Sequence, residues 1–354
     1  MTAAFAVTAG WDLPVGDPSH VHAAVTMADA AVTHAGLVPA DRAACALIAT
    51  ELATNLARHA RDGQLVATAT DPGPAAWVQL AAADNGPGIP DVDAAMADGY
   101  STANSLGGGL GTCRRAAGIF DLYTAPGAGT VIIARTGQGA AAPAGPARVG
   151  GILAARPGEQ ESGDAWGVFQ DAAGLTVAVV DGLGHGPDAA KAAATSLNTI
   201  AAATGPGAGP AAGDPVALLG QLNRELAGGR GAVAGIARLT GGQHAYGQLA
   251  YGGVGNIGAR LGAPGSRGHS HGLVSSMGAL GLGQRLRPQA AVSSWRGGSV
   301  FAAHSDGIRS SWDLSRYPGV TRHDPAVLAA LIWRDAATGG DDSAVVIVAG
   351  GARP

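Results

Sequence analysis

A run of ten residues, Gly137 to Pro146, constrains how this chain can be organised. It reads GQGAAAPAGP and carries no large apolar side chain, so it has nothing to bury. A chain of 354 residues is long for one domain and comfortable for two. We therefore expect one domain over residues 1–136, a linker over 137–147 and a second domain over 148–354. Hydrophobic residues make up 47% and charged residues 14%, enough apolar material for two cores. A second biased run, Thr204 to Gly213, lies between helix-like segments and reads as a surface loop.

Bulk charge narrows the function classes. The formal net charge is −4, which leaves no electrostatic footprint for nucleic acid or an anionic membrane. Cys45 and Cys113 stand alone, without a CxxC spacing, so neither a disulfide framework nor a zinc site is expected. No uninterrupted apolar stretch is long enough for a membrane span, and no basic-then-apolar leader opens the chain. These features point to the cytoplasm.

The first half alternates helices and strands. Helices are expected over His20 to His34 and Pro39 to His59, the latter with Ala44, Ile48, Leu52 and Leu56 on one stripe. Strands are expected at Leu65 to Thr70, Trp77 to Ala83 and Val131 to Ala134. The second half is richer in strands: Val149 to Ala154, Trp166 to Gln170, Leu175 to Val180, Val233 to Leu239, Ala245 to Tyr251, Val300 to Ala303 and Ala344 to Val348. Helices fit Pro187 to Ala203, Pro215 to Leu226 and Pro325 to Ala336. The pattern predicts an α+β chain whose second half stacks antiparallel sheets between helices.

Chemistry-bearing residues fall into two sets. In the first half, Glu51 and Asn55 are four apart on one helix face, beside the apolar stripe. An amide oxygen there can hold a hard cation, and a carboxylate can act as a base. Asp84 ends a strand and opens DNGPGIP, where it can accept a hydrogen bond from an exocyclic amine. Gly107-Gly108-Gly109-Leu110-Gly111 leads into a helix expected at Thr112 to Ala117, a backbone suited to phosphates. Gly127-Ala128-Gly129-Thr130 precedes another strand. Each element alone reads equally well as a turn or a surface polar pair. Their order and spacing together do not.

In the second half, acids stand out against a weakly charged background. Asp164 follows Ser162-Gly163, Asp181 opens DGLGHG, Asp306 sits in HSDGI, and Asp341 and Asp342 sit in GGDDSAVVIV. Most lie at strand ends. Carboxylates gathered there make an oxygen-rich pocket suited to Mg²⁺ or Mn²⁺. Two such ions can activate a water and support displacement at phosphorus.

ELATNLARHA, DNGPGIP, GGGLG and YTAPGAGT together resemble the four boxes of the GHKL (Bergerat-fold) ATPases, and more closely the RsbT and SpoIIAB type of switch kinase. The resemblance covers most of residues 10 to 135. It implies ATP with Mg²⁺ held by Asn55, Glu51 as base and Asp84 on the adenine amine. It further implies that Gly86 and Gly88 shape the base pocket and that Gly107, Gly109 and Gly111 cradle the phosphates. Thr130 would back the adenine, and Asp91 to Leu106 would be a lid. No dimerising phospho-acceptor helix precedes these motifs, which argues against an ordinary histidine kinase.

Residues 148 to 350, with DGLGHG and GGVGN, resemble PPM-type serine/threonine phosphatases of the SpoIIE and RsbX branch. That resemblance implies two Mn²⁺ or Mg²⁺ ions. Asp181 would be shared between them and Gly182 would offer its backbone carbonyl. Asp164, Asp306 and one of Asp341 or Asp342 would complete the set, with Asp341 favoured by alignment of the following strand. No arginine is obvious in the usual phosphate-gripping place. His185 and Asn256 would shape the site from outside. The fold implied is a Bergerat α/β sandwich followed by a PPM-type β-sandwich flanked by helices.

Together the resemblances imply opposed kinase and phosphatase activities on a STAS-domain antagonist or stressosome-like protein. One alternative is a phosphatase with an ATP-sensing or partner-binding N-terminal module. Another is an anti-sigma factor that sequesters a sigma factor. A downstream phosphatase is a further candidate partner, while nucleic acid and membrane are not.

Overall fold

The computed structural model describes all residues except 1–3, 98–108, 141–146, 160, 172, 206, 210–211, 242–245, 263–269 and 352–354. The chain divides into two compact units, Ala9–Ala142 and Met1–Thr8 with Pro143–Pro354.

The Ala9–Ala142 unit holds the part of β1 (Ala4–Pro14) from Ala9 onward, then α1 (His20–Ala35), α2 (Pro39–His59), β2 (Gln64–Thr70), β3 (Val78–Asp84), α3 (Val92–Met96), α4 (Gly109–Ala116), β4 (Ile119–Thr124) and β5 (Thr130–Thr136). The sheet order is β1-β2-β3-β5-β4, and β3 pairs antiparallel with both β2 and β5. α1 and α2 pack together over this sheet. Pro39 opens α2, Asp41 lies in its first turn and Arg58 and His59 in its last, all matching the helix dipole. Its buried stripe is Cys45, Ile48, Ala49, Leu52, Ala53 and Leu56. The expected Ala44 is only half-buried. α4 begins at Gly109, three residues before the expected Thr112.

The second unit continues with β6 (Ala147–Ala154), β7 (Asp164–Asp171), β8 (Gly174–Gly182), α5 (Pro187–Thr204), α6 (Pro215–Glu225), β9 (Ala232–Thr240), β10 (Tyr246–Val254), β11 (Gly258–Gly262), β12 (Ser270–Leu273), β13 (Ala291–Arg296), β14 (Val300–His304), α7 (Pro325–Ala336) and β15 (Ser343–Gly350). One sheet is ordered β13-β10-β9-β8-β7, the other β12-β11-β14-β15-β6. α5 and α6 cover the first, α7 covers the second, and β6 and β15 face β7 and β8. Asp214 and Asp324 cap α6 and α7 by accepting from the backbone N–H of Ala217 and Ala326, each followed by a proline at the first helical position. Between the sheets, Trp166 on β7 is fully buried. Its room depends on Gly151 of β6, where a Cβ would come within 2.8 Å of the indole.

Two expectations change at the ends of the units. Ala4–Val7 of β1 pairs antiparallel with Trp166–Phe169 of β7, so the first residues of the chain belong to the second unit by strand pairing. The glycine-rich run is also less free than its composition implies. Gly139 N–H donates to Ala76 O, and Ala140 is buried. At Gly137 a Cβ would lie 2.6 Å from Ala76 O. Glycine there lets the chain lie flush on the β2–β3 connection, and backbone contact replaces the side-chain burial that the sequence lacks.

Candidate active sites

The first site is a cavity of about 690 Å³ in the Ala9–Ala142 unit. Glu51 and Asn55 enter it from α2, Asp84 from the end of β3, Gly88 from the loop after it, Gly109 from the start of α4 and Thr130 from β5. Ala82, Leu110 and Ile132 supply an apolar wall. Strand register explains part of this convergence. Asp84 lies directly opposite Thr130 in the β3–β5 pair, so both side chains leave the same face.

Hydrogen bonds hold the loop in place. Gly86 N–H donates to Asp84 Oδ1 at 2.6 Å and so orients the carboxylate. Ile89 N–H donates to Thr124 Oγ1 at 2.8 Å, and that hydroxyl lies 3.1 Å from Thr130 Oγ1. Burial pushes the Glu51 carboxyl above its ordinary value, while Arg58 and the Gly109 backbone N–H pull it back. A half-buried carboxyl with a raised pKa is suited to accept a proton near neutral pH.

Not every expected residue lines the cavity. Gly86 and Gly111 are buried beside it but do not line it, so Gly86 acts through Asp84. Gly107 and most of the expected lid lie outside the described residues. The described part of the lid forms α3, capped by Asp91 accepting from Ala94 N–H. His59, Thr50 and Arg58 line the cavity as well.

Gly88 has a backbone requirement. Its φ is +83°, and a Cβ would lie 2.6 Å from Ala125 O. Gly88→Ala is therefore expected to destabilise this unit by about 1–3 kcal/mol. It should also weaken ATP binding, because the loop that carries Pro87 to Pro90 must move. Thermal unfolding and a nucleotide titration check both effects. An unchanged melting curve would contradict them.

The second site is a cavity of about 530 Å³ in the other unit. Asp164, Asp181, Asp306, Asp341 and Asp342 all line it. Asp164 and Asp181 are directly opposite each other in the β7–β8 pair. Like charges facing each other across a ladder are destabilising, so this pair calls for a proton or a cation. Burial, then Asp181, pushes the Asp164 carboxyl well above its usual range. Burial, then Asp306 and Asp341, pushes Asp181 up to about 7. Asp306 is raised by burial and by Asp341, and Asn256 Nδ2 donates to its Oδ2 at 2.7 Å.

The neighbouring pair divides its work. Asp342 Oδ1 accepts from Arg156 N–H at 2.7 Å and Oδ2 from Gly163 N–H at 2.8 Å. Both its oxygens are thus engaged by the β6–β7 connection, whereas Asp341 accepts through Oδ1 alone, from Asp342 N–H at 3.0 Å, which makes Asp341 the better candidate for a metal. His185 Nδ1 lies 3.1 Å from Glu159 Oε1. Arg156 lines the cavity, which places a cationic residue where none was obvious in the sequence. Arg156 follows β6, which pairs with β15, and its backbone N–H meets Asp342 just before β15.

These donors fit a hard divalent cation. They are all oxygen, their charges raise one another's pKa, and Asp164 Oδ2 is buried without a hydrogen-bond partner. Among the described residues no three acid, histidine or cysteine groups close on a single point. A cation here would therefore complete its shell with water, as Mg²⁺ commonly does.

Residues 15–135 match the model of the histidine kinase-like ATPase domain. Over 98 residues the chain is 37% identical to the serine/threonine-protein kinase RsbT of Bacillus subtilis (strain 168), covering 27% of this chain and 73% of RsbT. The chain belongs to the RsbT family of histidine kinase-like ATPases. Its RsbT-like unit therefore carries a nucleotide fold, and the GHKL class implies ATP and Mg²⁺. The part that follows is structurally similar to PPM phosphatases. A protein solved in a study of the bacterial stressosome as a modular system is 29% identical, with a TM-score of 0.47, covering 57% of this chain and 98% of that one. RsbX in complex with magnesium is 23% identical, TM-score 0.47, covering 57% and 94%. The phosphatase domain with a regulatory fragment of SpoIIE from Bacillus subtilis is 15% identical, TM-score 0.48, covering 77% and 79%. No helix among the described residues is long and apolar enough to cross a membrane.

Proposed function

We propose that the chain is a two-headed switch enzyme. The RsbT-like unit phosphorylates a serine or threonine on a STAS-domain or stressosome-like protein, and the second unit removes that phosphate. The observation that carries this reading is the presence of two separate cavities, one in each unit, each lined by several of the chemistry-bearing residues. The kinship to RsbT supports a kinase on the first. The facing acids of β7 and β8 support metal-dependent hydrolysis on the second.

In the first cavity Ala82, Leu110 and Ile132 would form the apolar wall for an adenine, and Asp84 would accept from its amine. Asn55 offers its amide oxygen to the Mg²⁺ that accompanies the phosphates. The start of α4 at Gly109 would face the phosphate end with its helix N-terminus, while the Gly109 N–H itself bonds the Glu51 carboxyl. Glu51 takes the proton from the attacking hydroxyl, a role suited to its raised pKa.

In the second cavity Asp164, Asp181, Asp306 and Asp341, with the carbonyl of Gly182, would hold two Mg²⁺ or Mn²⁺ ions. Such ions lower the pKa of a bound water and neutralise charge on the phosphoryl group. Asp342 ties the β6–β7 connection to the start of β15. Asn256 orients Asp306, and Arg156 supplies positive charge at the cavity for the substrate phosphate.

The test is a phosphate-transfer assay. Purified chain with γ-labelled ATP and a STAS-domain protein encoded beside it should label that protein on serine or threonine. Chase with cold ATP and Mn²⁺ should then release labelled phosphate. ATP binding without labelling would reduce the first unit to a sensor. A stable label through the chase would remove the phosphatase.

A further inference from the structure

We propose that the segment from Val274 to Leu282 is the rim that reads the protein substrate of the second cavity, with Met277 gripping an apolar residue next to the phosphorylated side chain. This rests on the phosphatase reading of that cavity and adds to it the class of sequence that is accepted.

Met277 lines the carboxylate cavity, yet 94% of its surface is exposed. Val274 is 82% exposed and Leu282 47%. Isolated apolar residues on a surface mean little. Met277 is different because, with Gly278 and Ala279, it lines the acidic cavity itself, and Val274 and Leu282 add exposed apolar surface to the same short segment.

The segment is also built to stay there. Before Met277, Ser276 exchanges backbone hydrogen bonds with the end of β10, Ser276 N–H to Gly253 O and Gly255 N–H to Ser276 O, both 2.8 Å. Ser275 Oγ donates to Ile257 O at 3.2 Å and lies 2.9 Å from Tyr251 Oη. After Met277, fully buried Leu280 is bonded both ways to Ala232 at the start of β9. Gly281 N–H donates to Asn223 Oδ1 at 2.9 Å. Two anchors thus hold the turn from both sides and leave Met277 between them. A side chain presented on a pinned backbone loses little entropy when it binds, and a thioether adapts to varied apolar shapes.

Charge sets the rest of the partner. From Ser270 to Arg287 the chain has no acidic residue, and Arg285 and Arg287 are exposed. With no carboxylate of its own the segment does not repel a phosphorylated chain, so the occupant is a phosphoprotein segment with a large apolar residue beside the phosphoserine or phosphothreonine.

The experiment uses the full chain with Mn²⁺ and a pair of phosphoserine peptides. They are identical except for Leu or Gln next to the phosphoserine, with Glu at the outer positions. Wild type should favour the Leu peptide about tenfold in kcat/KM, carried by KM. Met277→Gln should bring the ratio close to one, each rate being normalised to turnover of p-nitrophenyl phosphate by the same variant. Fluorescence anisotropy with the same peptides reads the preference without turnover. Retained Leu preference in binding but no hydrolysis would sink the phosphatase reading and keep the rim. A ratio unchanged by both Met277→Gln and Val274→Gln would overturn the proposal. So would a change of oligomeric state in Met277→Gln with the peptide ratio unmoved, which would assign the patch to a second copy of this chain.

Discussion

Asp181→Asn is expected to lower phosphoserine hydrolysis by more than about 100-fold and, in EDTA, to make the second unit more stable at neutral pH. The first effect follows from the position of Asp181 opposite Asp164. Groups that touch only a metal ligand are commonly worth about 10–100-fold, and a shared ligand should exceed them. The second effect follows from the titration. Asp181 is raised from an ordinary 3.8 to about 7 in the folded chain. The folded state then holds the proton more tightly than the unfolded one. The stability this contributes is fully present below about pH 4 and is lost as pH rises through about 7, at up to about 1.4 kcal/mol per pH unit. Asn has no proton to lose, so the variant should lack that part of the slope. Denaturant unfolding at pH 5 and 7.5 in EDTA measures the difference between the two proteins. Mn²⁺ should stabilise wild type at pH 7.5 more than the variant. A variant less stable than wild type at pH 7.5 in EDTA would show that the facing acids do not repel.

Asn55→Ala is expected to weaken ATP binding about 10- to 100-fold, as loss of a hydrogen-bonding or ligating group to a charged partner costs about 1.5–3 kcal/mol. Hydrolysis of p-nitrophenyl phosphate should be unchanged, because all residues lining the second cavity belong to the other unit. Glu51→Gln separates two roles of α2. It keeps the helix and the amide of Asn55 but cannot accept the hydroxyl proton, so ATP should still bind while transfer is lost. Calorimetric titration of ATP and labelling of the STAS protein read the two effects. If Asn55→Ala silenced hydrolysis too, the activities would not be independent.

Much of the first cavity was legible because its residues sit in contiguous boxes. Glu51 and Asn55 are one helical turn apart, and Asp84 ends a strand that its apolar run announces. The second cavity was legible only in part. The strand-end acids were visible one by one, but β11, β12 and β13, like β4 in the first unit, were not expected. These are short or half-exposed strands whose alternation is broken by polar residues or glycine, so pairing partners define them more than local propensity does. β1 was missed as well. Its first residues, Ala4–Val7, pair with β7 within the second unit, a long-range pairing that no local pattern signals.

The amino-acid sequence by itself determined the two fold types and most of the element order, because glycine boxes, caps and apolar runs act over a few residues. Tertiary structure alone decided which acids face each other, that Asp342 has both carboxylate oxygens engaged by backbone N–H while Asp341 engages one, that Arg156 lines the same cavity, and that Met277 stands on its rim. Each of these depends on strand register or on anchors far away in the chain. A register shift of one residue would turn every such side chain to the opposite face.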